Sequence, residues 1–279
     1  MHAYLDEQLL EQVSALAGRA GEAIMAVYQR DFEVTHKADE SPLTEADCAA
    51  HRLIMTGLAE LEPRLPVLSE EDVTGFKGPD AEGRYWLVDP LDGTKEFIKR
   101  NGDFTVNIAL VEQGCPVLGV VFAPVTQVGW RAAKGLGAWR YDSAGAAPIK
   151  VRKHRSEEPW HILRSRSHPS VDMQVWLEAL RRKGEVKLES VGSSLKFCYI
   201  AEGRADLYPR LGPTSLWDTA AAQAVLEEAG GAVIRLDGQA LSYEDTDEVL
   251  NPWFIAQGES DVDWAEFGTK LFTPGPDGA

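Results

Sequence analysis

Cysteine is scarce. The three, Cys48, Cys115 and Cys198, are odd in number and far apart. Such spacing fits neither a zinc pattern nor a disulfide framework, so reduced thiols in a cytoplasmic setting are expected. Basic charge is also short: 28 Lys and Arg stand against 44 Asp and Glu, a formal net charge of −16. Long nucleic acid is therefore excluded as a partner, because phosphate-backbone binding needs basic stripes. A small phosphorylated ligand is not excluded, since cations held on carboxylates can meet its charge. No apolar run is long enough to span a bilayer, and the acidic, polar stretch Met1 to Glu7 does not read as a secretory leader.

What is present is an ordinary globular composition. The 279 residues are 44% hydrophobic and 26% charged, enough to bury a full core in one large domain or two lobes. The most informative stretch is Trp86-Leu87-Val88-Asp89-Pro90-Leu91-Asp92-Gly93-Thr94-Lys95-Glu96-Phe97. Tyr85 to Val88 reads as a short buried strand, and Pro90, lacking an N–H, is expected to stop its ladder at Asp89. Gly93 and Thr94 let the chain turn, with Thr94 to Ile98 as a first helical turn. Two carboxylates three residues apart thus sit at a strand-to-helix junction beside free backbone amides. Carboxylates suit Mg²⁺ and amides at a helix start suit a phosphate oxygen. The same residues would also serve as plain turn formers.

Upstream, apolar residues at Leu9, Val13, Leu16, Ala20, Ile24 and Val27 predict an amphipathic helix from about Asp6 to Arg30. Ser41-Pro42 breaks the chain. Thr44 can cap a second helix running to about Leu61, with Asp47 in its first turn, where the helix dipole alone would favour an acid. Pro66-Val67-Leu68 is a strand ending at Ser69-Glu70-Glu71-Asp72, and two parallel strands ending together would bring Glu70 to Asp89. Lys95 to Gly102 reads as a basic, mobile segment. Strands are expected at Phe104 to Val111, Val117 to Ala123, Val128 to Ala132 and Ala138 to Tyr141. Lys134-Gly135-Leu136-Gly137 matches no phosphate loop and reads as a hairpin turn. Asp142 to Pro148 is the best boundary, giving lobes of 1–145 and 146–279. The second half alternates strand and helix, with helices at Ser170 to Arg182, Ser194 to Glu202 and Thr219 to Ala229, the last with Asp218 as N-cap. A strand is expected at Trp253 to Ala256. The tail Thr273 to Ala279 is expected to be disordered.

Taken together, these segments resemble the lithium-sensitive, Mg²⁺-dependent phosphatases of the inositol monophosphatase family. The resemblance is carried by Asp89-Pro90-Leu91-Asp92-Gly93-Thr94, by Lys37-x-Asp39-x-Ser41-Pro42-x-Thr44-x-Ala46-Asp47, and by Trp217-Asp218-x-Ala220-Ala221 with Gly230-Gly231. It covers the chain from Lys37 to Gly231. Lys95-Glu96-Phe97-Ile98-Lys99-Arg100, Ser165-Arg166-Ser167-His168 and Gly192-Ser193-Ser194-Leu195-Lys196 look like the 3'(2'),5'-bisphosphate nucleotidase branch of the bacterial CysQ type.

The resemblance implies a mixed α/β fold of layered αβαβα form, with two mixed sheets between helices. It implies two or three Mg²⁺ per site. Glu70 rather than Glu71, together with Asp89 and the Leu91 carbonyl, would hold one ion; Asp89, Asp92 and Asp218 would hold a second. Asp47 and Thr94 would be catalytic, Thr94 orienting or deprotonating a water. Gly93 and Thr94 amides would take phosphate oxygens, in contact with a substrate also bordered by Glu70, Leu91, Asp92 and Asp218. Ser193, Lys196 and Arg210, with His168, are the nucleotide-binding candidates, although a cap, a solvated lysine and a loop histidine would account for Ser193, Lys196 and His168 locally. The branch implies hydrolysis of 3'-phosphoadenosine 5'-phosphate in the cytoplasm, with weak peripheral association at the inner membrane, although no basic amphipathic anchor is visible. Two alternatives stand beside it: a monoesterase for an inositol or sugar phosphate, and a non-catalytic metal or nucleotide sensor. The intact acid set argues against the sensor.

Overall fold

The computed structural model describes residues 4–36, 42–167 and 170–272. Lys37 to Ser41, His168 and the 273–279 tail, each assigned a part above, lie outside the described residues.

Helix α1 (Glu7–Tyr28) starts where its sequence requires. The Asp6 carboxylate caps it, accepting from Leu9 N at 2.8 Å, and the predicted stripe from Leu9 to Val27 is buried. A two-stranded antiparallel ribbon, β1 (Val34–His36) and β2 (Pro42–Thr44), leads into α2 (Glu45–Ala59). Then come β3 (Val67–Ser69), β4 (Arg84–Asp92), the short α3 (Thr94–Ile98), β5 (Thr105–Glu112), β6 (Cys115–Ala123), β7 (Val128–Ala133), β8 (Gly137–Asp142) and β9 (Gly145–Pro148). These seven strands make one sheet in chain order; β3 and β4 pair parallel and the rest antiparallel. The glycines between β7 and β8 do form a turn, and the Gly135 and Gly137 amides donate to Glu228 Oε2 at 3.0 and 3.1 Å. Gly145–Pro148 still belongs to this sheet, so sheet membership changes only between Pro148 and Trp160.

The second half contributes β10 (Trp160–Ser165), α4 (Val171–Arg181), β11 (Val186–Val191), α5 (Leu195–Ala201), β12 (Leu207–Arg210), a 3₁₀ turn at Leu216–Asp218, α6 (Ala220–Glu228), β13 (Ala232–Arg235), β14 (Phe254–Gln257) and α7 (Trp264–Phe272). Its sheet has the order β11-β10-β12-β14-β13, parallel around β10 and antiparallel around β14.

Three apolar cores fix the layering. Side chains alternate across a strand. Trp86 and Val88 of β4 therefore meet α1 and α2 on one face, while Tyr85 and Leu87 meet α5 and α6 on the other. The far side of that second core is closed by Leu163, Tyr208, Val233, Phe254 and Ala256 of the smaller sheet. Ile162, Leu207 and Ile255, on its opposite face, pack with Trp176 and Leu180 of α4 and Trp264 of α7. The order is helix, sheet, helix, sheet, helix, as the resemblance implied. Each fully buried large apolar side chain in these layers is worth about 1.5–3 kcal/mol.

Two local expectations are corrected. Pro90 does not end β4: the ladder shifts register after Asp89↔Asn107 and resumes at Asp92↔Thr105, so the missing N–H is absorbed as a bulge. Asp218 does not cap α6; Thr219 is at that position, and Asp218 ends the 3₁₀ turn, its carboxylate accepting from Ser215 N at 2.8 Å. Helix α7 was not anticipated, though Trp264, Phe267 and Leu271 carry its spacing. Among the described residues no helix is long and apolar enough to cross a membrane.

Candidate active site

Strands β3 and β4 run side by side, with Ser69 paired to Val88, so Glu70, just past the end of β3, comes beside Asp89 of β4. Glu70 N donates to Val88 O at 3.1 Å. Asp89 turns back on its own chain, Oδ1 accepting from Leu91 N at 3.0 Å, which spans Pro90. After the bulge, Gly93 adopts φ +95°, and a Cβ there would come within 3.0 Å of Asp103 O. That left-handed residue is what lets α3 begin at Thr94 directly below the acids.

Asp218 reaches the same corner from the 3₁₀ turn. Carboxylate oxygens of Asp89, Asp92 and Asp218 all lie within 4.8 Å of one another. Burial, then repulsion from Glu70, Asp92 and Asp218, pushes Asp89 well above the usual carboxylate range. Burial and the charges of Asp92 and Glu70 raise Asp218 too, against the pull of Ser215 N and Arg210. Four acids share one partly dehydrated corner, where their repulsion is relieved by protons or by cations between them. An all-oxygen donor set of this kind fits hard divalent cations.

The acids are aimed by polar groups that the sequence reading did not single out. Asp92 Oδ2 accepts from Ser194 N at 2.7 Å and from Asn107 Nδ2 at 3.3 Å. Ser194 Oγ lies 2.7 Å from both Asp92 Oδ2 and the Asp218 carbonyl, and Asn107 Nδ2 donates to it at 2.8 Å. One hydroxyl proton can serve only one of its two acceptors at a time, so Ser194 links both acids through a single group. Asn107 did leave a signal: it is the one polar residue within the apolar run Val106 to Val111.

Thr94 and Asp47 meet as expected. Thr94 Oγ1 lies 3.2 Å from Asp47 Oδ1 and 3.3 Å from the Leu91 carbonyl. Asp47 Oδ2 accepts from Thr44 N at 2.8 Å and Thr44 Oγ1 at 2.6 Å, a capping box that fixes the carboxylate at the start of α2. Burial raises the Asp47 carboxyl, with the Thr44 hydrogen bonds opposing.

Glu70, Asp89, Asp92, Thr94 and Asp218 face a cavity of about 650 Å³ that is also lined by Leu91, Gly93, Ser193, Lys196 and Arg210. Lys196 is not a solvated helix residue. It is 5% exposed, with Nζ bonded to the Ser193 carbonyl and 5.0 Å from the Tyr208 ring centroid. Burial pulls its ammonium down to about 8, against the attraction of Asp92. Arg210 donates from Nη2 to the Pro213 carbonyl, while its buried Nε has no partner. Ser193 holds a left-handed backbone, φ +46°, at the turn into α5. Arg166 is engaged elsewhere, paired to Asp103 at 2.6 Å. The Lys95 to Gly102 stretch is anchored rather than loose: Arg100 Nη2 donates to the Arg30 carbonyl at 2.7 Å, and the buried Glu96 accepts from Ser167 Oγ.

Acids at the ends of two parallel strands, completed by an acid from a distant 3₁₀ turn, set in a five-layer fold, define a metal-dependent phosphatase architecture. The family model for the inositol monophosphatase family matches residues 5–262, and the chain belongs to that family. Within it, the chain is 52% identical over 248 residues to the 3'(2'),5'-bisphosphate nucleotidase CysQ of Escherichia coli K12, covering 88% of this chain and 98% of that protein. It is 34% identical over 262 residues to the CysQ of Haemophilus influenzae, covering 93% and 96% of the two chains. The crystal structure of CysQ from Bacteroides thetaiotaomicron, 38% identical, superposes with a TM-score of 0.77 over 92% of this chain and 98% of that one.

Proposed function

We infer that the chain is a Mg²⁺-dependent 3'(2'),5'-bisphosphate nucleotidase. It hydrolyses 3'-phosphoadenosine 5'-phosphate to AMP and phosphate in the cytoplasm, and its partner is this small nucleotide rather than a nucleic acid. The observation that carries the reading is one cavity holding both the crowded acids and two buried cations, Lys196 and Arg210. A substrate with two separate phosphates matches that division, one for each charge class.

Glu70, Asp89 and the Leu91 carbonyl would hold one Mg²⁺, and Asp89, Asp92 and Asp218 a second. When bound, the ions would lower the pKa of water, neutralise the phosphoryl oxygens and stabilise the leaving ribose oxygen. The protein's own part is positional and electrostatic. Thr94 Oγ1, donating to Asp47 Oδ1, turns its lone pairs toward the cavity and orients a water there. A threonine hydroxyl is a weak base, so a proton taken at Thr94 Oγ1 would pass to Asp47, whose burial favours holding it. Amides of Gly93 and Thr94 receive the phosphate oxygens at the start of α3. Lys196 and Arg210 bind the 5'-phosphate, and Arg210 Nε is a donor still to be satisfied.

The test is release of free phosphate from 3'-phosphoadenosine 5'-phosphate, inositol 1-phosphate and fructose 1,6-bisphosphate, each with and without Mg²⁺. The bisphosphorylated nucleotide should be turned over with the highest kcat/KM, and only with the metal. Preference for inositol 1-phosphate would move the chain to the other branch. No release from any ester would leave a sensor.

A further inference from the structure

Helix α2 offers more to the site than Asp47. One turn along lies His51, and its Nδ1 is 3.0 Å from Ser69 Oγ. Ser69 is fully buried, is the last residue of β3 and pairs with Val88, the residue before Asp89. It also opens the turn that carries Glu70 and Glu71: Asp72 N donates to Ser69 O at 3.0 Å, and Glu71 N lies 3.4 Å from Ser69 Oγ. The Ser69 hydroxyl has one proton to give. It also has two lone pairs, so with the Glu71 amide donating to one it can give its proton to His51 Nδ1 or accept from it, and the contact forms with either tautomer of the neutral imidazole. Burial lowers the imidazole's basicity and favours this neutral form.

We propose that His51 is a positioning residue for metal binding: through Ser69 it fixes the Glu70–Glu71 turn, and by sharing α2 with Asp47 it holds that turn in register with the Thr94–Asp47 pair. The proposal rests on the reading of the acid corner as a metal site. Groups that orient a ligand-bearing turn without touching the ion commonly set its affinity by 10–100-fold.

The experiment measures equilibrium Mn²⁺ binding to the full chain without substrate, from the electron paramagnetic resonance signal of free Mn²⁺, with the melting midpoint recorded for each variant. Wild type should bind, and Asp92→Asn should bind far more weakly. His51→Leu should weaken binding on the order of tenfold, and His51→Asn, which keeps a polar atom where Nδ1 lies, should stay within about threefold of wild type. Ser69→Ala should match His51→Leu, and the double variant should be no worse than either alone, because one chain of contacts is being cut. If wild type takes up no Mn²⁺, the metal corner itself falls and the proposal with it. If wild type binds but His51→Leu binds as tightly, or His51→Asn is as weak as His51→Leu, the positioning role alone is overturned. Should His51→Leu not fold, Ser69→Ala set against His51→Asn makes the same comparison.

Discussion

Lys196 carries a charge that its surroundings resist, since burial favours the neutral amine. A phosphate beside it would restore the ammonium, and the same phosphate would satisfy Arg210 Nε. Charge-assisted contacts of this kind contribute about 1.5–3 kcal/mol each, so Lys196→Ala or Arg210→Ala should lower kcat/KM on the order of ten- to a hundredfold with 3'-phosphoadenosine 5'-phosphate. The 5'-phosphate would lie remote from the reacting ester, and its binding energy would serve to position that ester. With 3'-AMP, which lacks the 5'-phosphate, both variants should behave nearly as wild type. An equal loss on the two substrates would mean that neither residue reads the 5'-phosphate.

The junction from β4 to α3 shows how a single element organises the site. Pro90 cannot donate to the ladder, Asp89 closes over it, and Asp92 returns to pair with Thr105, so the two acids project from either side of a bulge. Gly93 then takes a left-handed conformation against the backbone of Asp103 and Phe104. In Gly93→Ala the added Cβ meets that backbone, and α3 must shift to relieve it. Stability should fall by about 1–3 kcal/mol in urea unfolding, and kcat should fall further than stability explains, because Thr94 moves away from Asp47. Wild-type kcat in a correctly folded Gly93→Ala protein would show that the bulge, not the glycine, sets the position of Thr94.

Across the molecule, the acid corner makes stability depend on pH and metal together. Asp89 and Asp218 hold protons more tightly in the folded chain than the ordinary carboxylate value of 3.8. The folded state therefore binds more protons than the unfolded one as pH rises above that value, and the metal-free protein loses stability through the raised pKa values. A divalent cation bound at this corner would replace those protons and stabilise most where the acids would otherwise be charged. The rise in melting temperature on adding saturating Mg²⁺ should thus be larger near pH 8 than near pH 6. A rise that is equal or larger at the lower pH would mean that the acids and the metal are not competing for one site.

The sequence by itself determined the parts of this protein that are local. Asp-Pro-x-Asp-Gly-Thr encodes its turn within six residues, Thr44 and Asp47 cap each other across one helical turn, and the apolar runs of β4 and β5 mark them as buried strands. Even there, the ladder's resumption at Asp92 depended on a partner strand, Thr105 on β5, that no local rule places. Only the tertiary structure decided what comes from far along the chain. Ser194 donates to an acid 102 residues away, and Lys196, polar and helical, reads as solvated until distant segments pack over it. His51 and Ser69 are unremarkable until α2 packs beside the end of β3. The physical reason is that periodicity and caps report contacts within a few residues. The charge a carboxylate or a lysine bears depends instead on which distant groups exclude water from it.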